Sequence, residues 1–205
     1  MFIVGFNERR GKKIYGTAMV VENGKIIGTY SKAFPCSEHE TPGRRFPVFK
    51  KDGIAFGVVI CADGGYIEPT RILAMKGGRI IFAPRYNYIQ KEHLIGHFQK
   101  VRSDHIARAV ENSIWFMRCN NVVFGQDTGL GYEGVGYGDS YLVDPGGEIV
   151  VRSRRDTECF ITADIVPREK DGFLWRSLKS ARELGPILSR AVRTCPGHEA
   201  LSKAK

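Results

Sequence analysis

The sequence predicts an α/β domain built on buried strands, and three observations carry that prediction. Short apolar runs rich in β-branched residues alternate with stretches in which apolar residues recur at helical spacing. Of the 205 residues, 42% are hydrophobic, enough to fill a sizeable core. No internal repeat or low-complexity linker marks a second domain.

In chain order, "IYGTAMVV" (14–21) and "KIIGTY" (25–30) flank Glu22-Asn23-Gly24, and an Asn-Gly pair between β-formers is a strong hairpin signal. "GIAFGVVIC" (53–61) is a near-continuous apolar run, as expected for a strand buried on both faces. "IEPTRILAMK" (67–76) reads as a helix stopped by Gly77-Gly78, and "RIIFAP" (79–84) as the next buried strand. From about 97 to 112, Phe98, Val101, Ile106, Ala109 and Val110 recur at helical spacing, and "SIWFMRC" (113–119) reads as a strand. The glycine-rich "GQDTGLGYEGVGYG" lacks the Lys-Ser/Thr ending of a phosphate loop and the spacing of a dinucleotide fingerprint, so it reads as a flexible connection. Asp144-Pro145-Gly146-Gly147 then turns "DSYLVD" into "EIVV", and "CFITADI" (159–165) reads as a last strand.

The formal net charge is +9, of which residues 168–205 supply +5 through nine Lys or Arg against four Asp or Glu. A basic tail without Arg-Gly-Gly repeats or an aromatic stacking pattern reads as a solvated face, so no nucleic-acid partner is expected. There is no apolar run of 18 residues and no signal-peptide pattern at the start, which predicts a cytoplasmic protein with no membrane partner. Cysteines at 36, 61, 119, 159 and 195 are odd in number and contain no Cys-x-x-Cys pair, so they read as thiols.

Cys61 stands where strand, turn and helix succeed one another, the position at which α/β enzymes lift a nucleophile out of the sheet. A free thiol, with a pKa of about 8.5, also needs a base and a positive field to act at neutral pH. Spacing alone leaves a second reading open, because a lone cysteine after "VVI" serves equally as core filler.

Five segments tip that balance. "YSKAFP", "CADGGYIEPTR", "KGGRIIFAP", "ARAVENSIWFMRCNN" and "GDSYLVDPGGEIV" resemble, in order and spacing, the motifs of the nitrilase, or carbon–nitrogen hydrolase, superfamily. The resemblance covers about residues 1–166 and implies a carbon–nitrogen hydrolase domain there, with 167–205 as a basic extension packing at an oligomer interface. It implies a nitrilase-type α-β-β-α four-layer sandwich that lacks the family's first strand, helix and strand, and a homo-oligomer. By resemblance Cys61 is the attacking thiolate, and Lys32 with the backbone N–H of Ala62 stabilises the tetrahedral intermediate. Glu40 falls where many members carry a glutamate that positions substrate and lysine, with Glu38 as the competing candidate. Asp63, Glu68 and Arg71 read as structural, the first by suiting the helix dipole and the other two as an i, i+3 pair. Arg85, Tyr86 and Asn87 follow the strand after the cysteine helix and are expected to line the pocket on the same sheet edge.

The implied substrate is a small amide, nitrile or N-carbamoyl compound, hydrolysed through a Cys61 acyl-enzyme with no metal or organic cofactor. By the same resemblance the family's general-base glutamate falls upstream of Met1, and Glu8 belongs to the segment after it. Turnover of the chain as written is therefore expected to be near background, and bare sheet edges are expected to invite association. The chain is either a shortened record of a full hydrolase or a short nitrilase-fold binding subunit. Other chemistries to weigh are a Cys–His hydrolase using His93, His97 or His105, a metal pair at His93 and His97, and a metal fragment at Cys36-Ser37-Glu38-His39. Cys119 and Cys159 read as core or strand-end thiols, and Cys195 as an exposed tail residue.

Overall fold

The computed structural model describes residues 1–125, 131–167 and 172–194, with side chains in the last segment from 179 to 193. Two compact units result, residues 1–169 and 170–205. The first begins with an antiparallel meander, β1 (Phe2–Arg10), β2 (Lys13–Glu22) and β3 (Lys25–Ser31). Asn23 and Gly24 sit between β2 and β3 at φ of 49° and 74°. Those left-handed angles match the strand twist and suit these two residue types, as the Asn-Gly signal anticipates. β1 has no counterpart in the sequence reading, because its second half, Asn7-Glu8-Arg9-Arg10, is charged like a loop.

β4 (Phe49–Lys51) and β5 (Ile54–Val58) lead through a 3-10 turn at Cys61–Gly65 into helix α1 (Ile67–Met75) and then β6 (Ile80–Pro84). β7 (Ile89–Gln90), α2 (Leu94–Asn112), β8 (Trp115–Cys119), β9 (Val122–Phe124), β10 (Gly134–Tyr137), β11 (Tyr141–Val143) and β12 (Ile149–Arg152) complete the unit. Six strands form one sheet in the order β12-β11-β8-β6-β5-β4, with β5, β6 and β8 parallel. The remaining three form a small sheet ordered β7-β10-β9. α1 stops because Gly77 takes φ 98°, which lets Gly77 N–H and Gly78 N–H bond back to Ala74 O and Leu73 O.

Strand periodicity sorts the core into two faces. Val59, Ile81, Ala83, Phe116, Tyr141 and Val143 pack on Leu73, Ala74 and Ala109 of the helices. The alternate residues Phe56, Val58 and Ile80 pack instead with Phe49 against Ala18, Val20 and Tyr30 of the meander. Helices, six-stranded sheet and meander thus make three successive layers. The described residues of this unit contain no further helix beyond the meander. The parallel strands β5, β6 and β8 end on one edge, and the loops after β5 and β6 carry Cys61 and Arg85.

Several expectations are corrected. Residues 159–165 form no strand: Ile165 packs against the core between the sheets, but Phe160 is 90% exposed and no ladder partner adjoins the segment. β-forming composition does not supply an edge to pair with. The glycine-rich connection is in part ordered sheet, since Gly134–Tyr137 is β10, buried throughout; residues 126–130 lie outside the described residues. Arg71 pairs not with Glu68 but with Glu111 of α2 at 3.8 Å, because Glu68 faces solvent and Arg71 faces the neighbouring helix.

The described residues of the second unit form helix α3 (Gly172–Thr194), which exposes Leu184, Ile187, Leu188 and Val192 along one side. Cys195 lies outside the described residues. Among the described residues no helix is long and apolar enough to cross a membrane.

Candidate active site

Cys61 opens the 3-10 turn after β5 with φ 48°, in the left-handed region. A non-glycine residue there is held by its surroundings at a cost of about 1–3 kcal/mol, a form of strain that clusters at functional sites. The strain turns the sulfur off the strand end and into a cavity of about 580 Å³. Lys32, Cys36, Glu40, Arg85 and Tyr86 line the same cavity. The core-filler reading of Cys61 therefore fails. Ala62 follows in the first turn, where a helix leaves its N–H groups without intrahelical partners.

Lys32 reaches the cavity from the loop after β3, and Asp63 fixes that loop. The Asp63 carboxylate is fully buried and accepts from Tyr30 OH (2.7 Å), Phe34 N (2.8 Å), Ala33 N (3.3 Å) and Ile60 N (3.1 Å). The loop carrying the ammonium and the elbow carrying the thiol are thus tied to one side chain. Asp63 is structural, as expected, but by joining two loops rather than by meeting a helix dipole. Burial raises its pKa, while the four hydrogen bonds hold it down.

Behind the elbow, Arg85 Nη2 donates to Cys61 O at 2.8 Å and Nη1 lies 3.5 Å from His105 Nε2. His105 is stacked on Phe116 and bonded through Nδ1 to Tyr141 OH at 2.8 Å. Its close approach needs Gly64, where a Cβ would stand 2.9 Å from Nε2. Burial, with Arg85 nearby, pushes the His105 pKa well down, so the ring is neutral. Asn87 is buried, with Nδ2 4.0 Å from Cys61 Sγ. The fully buried Arg118 holds Asn87 Oδ1 at 3.1 Å and also donates to Gly138 O and Asp139 O.

The thiol is strongly acidified. A hydrogen bond from Cys36, then the charges of Arg85 and Lys32, outweigh burial and bring Cys61 down to about 5. Cys36 is pushed up, foremost by its hydrogen bond to Cys61, because two touching thiols cannot both ionise. Lys32 Nζ donates to Cys36 Sγ at 3.1 Å. Burial works against the ammonium, but Cys61, Cys36 and Glu40 outweigh it and raise its pKa. The reactive form is the thiolate, so alkylation of Cys61 by iodoacetamide is expected to rise through about pH 5 and stay flat above pH 7. An ordinary thiol reacts along a curve centred near about 8.5. Mass-spectrometric rates at Cys61 between pH 4 and 9 check this, and a midpoint above 8 would contradict the site's electrostatics.

The site residues read from sequence are therefore brought together in part. Cys61, Lys32, Glu40, Arg85 and Tyr86 face one cavity, and Glu38 lies on an exposed turn outside its lining. Asn87 stands behind the sulfur, and Ala62 beside it. Arg85 holds the elbow through one amino group. Glu8 is bonded to Arg10 by both carboxylate oxygens. His97 is bonded to Tyr137 OH, His93 is exposed, and His105 approaches Cys61 only through Arg85. Among the described residues no cluster of His, Cys, Asp or Glu could hold a metal ion. Sequence reasoning missed the roles of Cys36 and Arg118. The signal for Arg118 was a charge at an inward position of a buried strand; for Cys36 no local signal existed.

Comparison with known proteins places the molecule. The family model for carbon-nitrogen hydrolases matches residues 1–169. The chain belongs to the carbon-nitrogen hydrolase family. It is 26% identical over 196 residues to a citrullinase of Francisella tularensis, covering 86% of this chain and 65% of that protein. It is 28% identical over 157 residues to an (R)-stereoselective amidase of a Pseudomonas species, covering 75% and 53%. Its fold matches the crystal structure of a carbon-nitrogen hydrolase from Helicobacter pylori with TM-score 0.73 at 24% identity, over 91% of this chain and 66% of that one. This member of the family thus spans between about half and about two thirds of the length of these relatives.

Proposed function

We propose that the chain attacks non-peptide carbon–nitrogen bonds of small amides, nitriles or N-carbamoyl compounds through a Cys61 acyl-enzyme. The observation that carries this reading is a strained elbow thiolate facing a buried ammonium across a cavity of about 580 Å³. Family membership supports it, and so do the citrullinase and amidase among its relatives.

The steps follow from the groups present. The Cys61 sulfur is already ionised near neutral pH and needs no separate base to attack. Attack builds negative charge on the former carbonyl oxygen or nitrile nitrogen, and in this reading the Lys32 ammonium and the Ala62 N–H stabilise it. The leaving nitrogen must collect a proton, and the Lys32 ammonium and the Cys36 thiol are the proton carriers beside the sulfur. Hydrolysis of the thioester then needs an activated water. Asp63 is fully occupied by four donors and Glu8 by Arg10, which leaves Glu40 as the carboxylate on the cavity wall. Glu40 also faces Lys32, and its role is to hold that ammonium and the substrate in place.

The test is a burst experiment with an amide, a nitrile and an N-carbamoyl compound. The expected outcome is an acyl adduct on Cys61 for at least one of the three, about one ammonia or amine released per chain in a fast phase, and slow release afterwards. Cys61→Ala should show neither adduct nor burst. Substrate binding without any adduct in the native chain would favour the binding-subunit reading instead.

A further inference from the structure

Two thiols face one cavity from different elements, Cys36 from the loop after β3 and Cys61 from the elbow after β5. The mechanism above needs only one nucleophilic sulfur. We propose that Cys36 is a resolving thiol, which captures oxidised Cys61 as a Cys36–Cys61 disulfide and so makes oxidation of the site reversible. The proposal rests on the reading of Cys61 as a reactive thiolate.

The geometry supports this pairing. Lys32 Nζ donates to Cys36 Sγ at 3.1 Å, and Cys36 and Cys61 line one cavity wall close enough that each is the largest influence on the other's acidity. Cys36 lies on an exposed turn with Ser37, Glu38 and His39, where the chain can close the remaining gap without repacking the core. The exposed thiols Cys119 and Cys159 lie outside the cavity lining.

The chemistry balances with a peroxide as the oxidant. The Cys61 thiolate attacks one oxygen of hydrogen peroxide, the O–O bond breaks, and hydroxide leaves, so the sulfur becomes a sulfenic acid. In the reduced pair Cys61 carries the charge and Cys36 keeps its proton. Once Cys61 is a neutral sulfenic acid that repulsion is gone, and the Lys32 ammonium is left to favour a Cys36 thiolate. Cys36 then attacks the Cys61 sulfur, the S–O bond breaks, and hydroxide leaves with the proton that Cys36 gave up. The disulfide forms with two electrons passed to the peroxide. A dithiol reductant restores both thiols by exchange. Without a neighbouring thiol, the sulfenic acid would proceed to sulfinic acid, which such reductants do not reverse.

The experiment treats the full, reduced chain with a several-fold excess of hydrogen peroxide, enough to carry an unprotected thiol past the sulfenic acid, at neutral pH and maps its peptides by mass spectrometry. The expected result is a linked pair of peptides containing residues 36 and 61, lighter by two hydrogens and restored by dithiothreitol. In Cys36→Ser, Cys61 should instead be recovered as sulfinic or sulfonic acid, with loss of its reducible fraction. A native chain in which Cys61 goes to sulfinic acid without the 36–61 link, or links to Cys119 or Cys159 instead, overturns the proposal. Alkylation of untreated Cys61 at pH 6 separates the two ideas. Fast alkylation with no link refutes the resolving role alone, whereas slow alkylation refutes the thiolate and the resolving role with it.

Discussion

Lys32→Ala is expected to slow acylation of Cys61 by about 10²–10³-fold, the usual loss when one donor to a developing oxyanion is removed from a water-poor site. The size of the effect comes from the transition state rather than from the thiol. Among the groups that acidify Cys61, the Cys36 hydrogen bond comes first and Arg85 second, with Lys32 behind both. Removing the ammonium therefore moves the alkylation midpoint up while leaving most of the sulfur ionised at pH 8. Iodoacetamide, whose reaction at its CH₂ carbon builds no oxyanion, should lose only a small part of its rate at that pH. A true amide should lose the full factor. Comparing the two rates in native and variant chains checks the assignment, and an equal loss for both reagents would reduce Lys32 to a device for ionising the thiol. The backbone bonds of Lys32, from its N–H to Gly16 O and from Gly43 N–H to its carbonyl, survive the substitution, so the loop should keep its course.

What the sequence disclosed and what it hid follow from the range of the interactions concerned. The hairpin at Asn23-Gly24, the stop of α1 at Gly77 and the buried run of β5 are set by neighbours a few residues away, and local pattern reveals them. Cys61 and Lys32 were legible only because several motifs agreed in order. Sequence put Glu40 ahead of Glu38 only by its place in a motif; the pairing of Thr41 N–H with Ile14 O, which sets Glu40 against β2, brings Glu40 and not Glu38 to the cavity wall. Cys36 beside Cys61, Arg118 behind Asn87 and Asp63 across two loops are contacts between residues 25 to 33 positions apart, and composition carries no trace of them. The failed strand at 159–165 teaches the converse. Its residues favour β structure, but a ladder also needs a free edge, and that is a property of the whole sheet.

The tie through Asp63 is where folding and chemistry meet, and Asp63→Ala is expected to show it. The substitution leaves Tyr30 OH and the amides of Ala33, Phe34 and Ile60 without their acceptor in a buried site. At about 1–3 kcal/mol for each unmet group, the loss is at least about 4 kcal/mol. That is a large part of the 5–15 kcal/mol by which domains are stable, so the variant should unfold at much lower urea or fail to accumulate. Asp63→Asn is the more telling change. Its one carbonyl oxygen can keep the three donors now on Oδ2, from Tyr30, Ala33 and Ile60, and give up only Phe34 N–H, which then faces an NH₂ group. The expected cost is about 1–3 kcal/mol, read as a lower urea midpoint at unchanged slope. Because Phe34 lies two residues beyond Lys32, the freed amide loosens the segment that aims the ammonium, and a misplacement near 1 Å can cost about 10²-fold in rate. Acylation should therefore fall by much more than the folded fraction does, while iodoacetamide still labels Cys61. If Asp63→Asn lost stability yet kept its full acylation rate, the carboxylate would serve the fold alone, and the aim of Lys32 would have to come from its backbone bonds to Gly16 and Gly43.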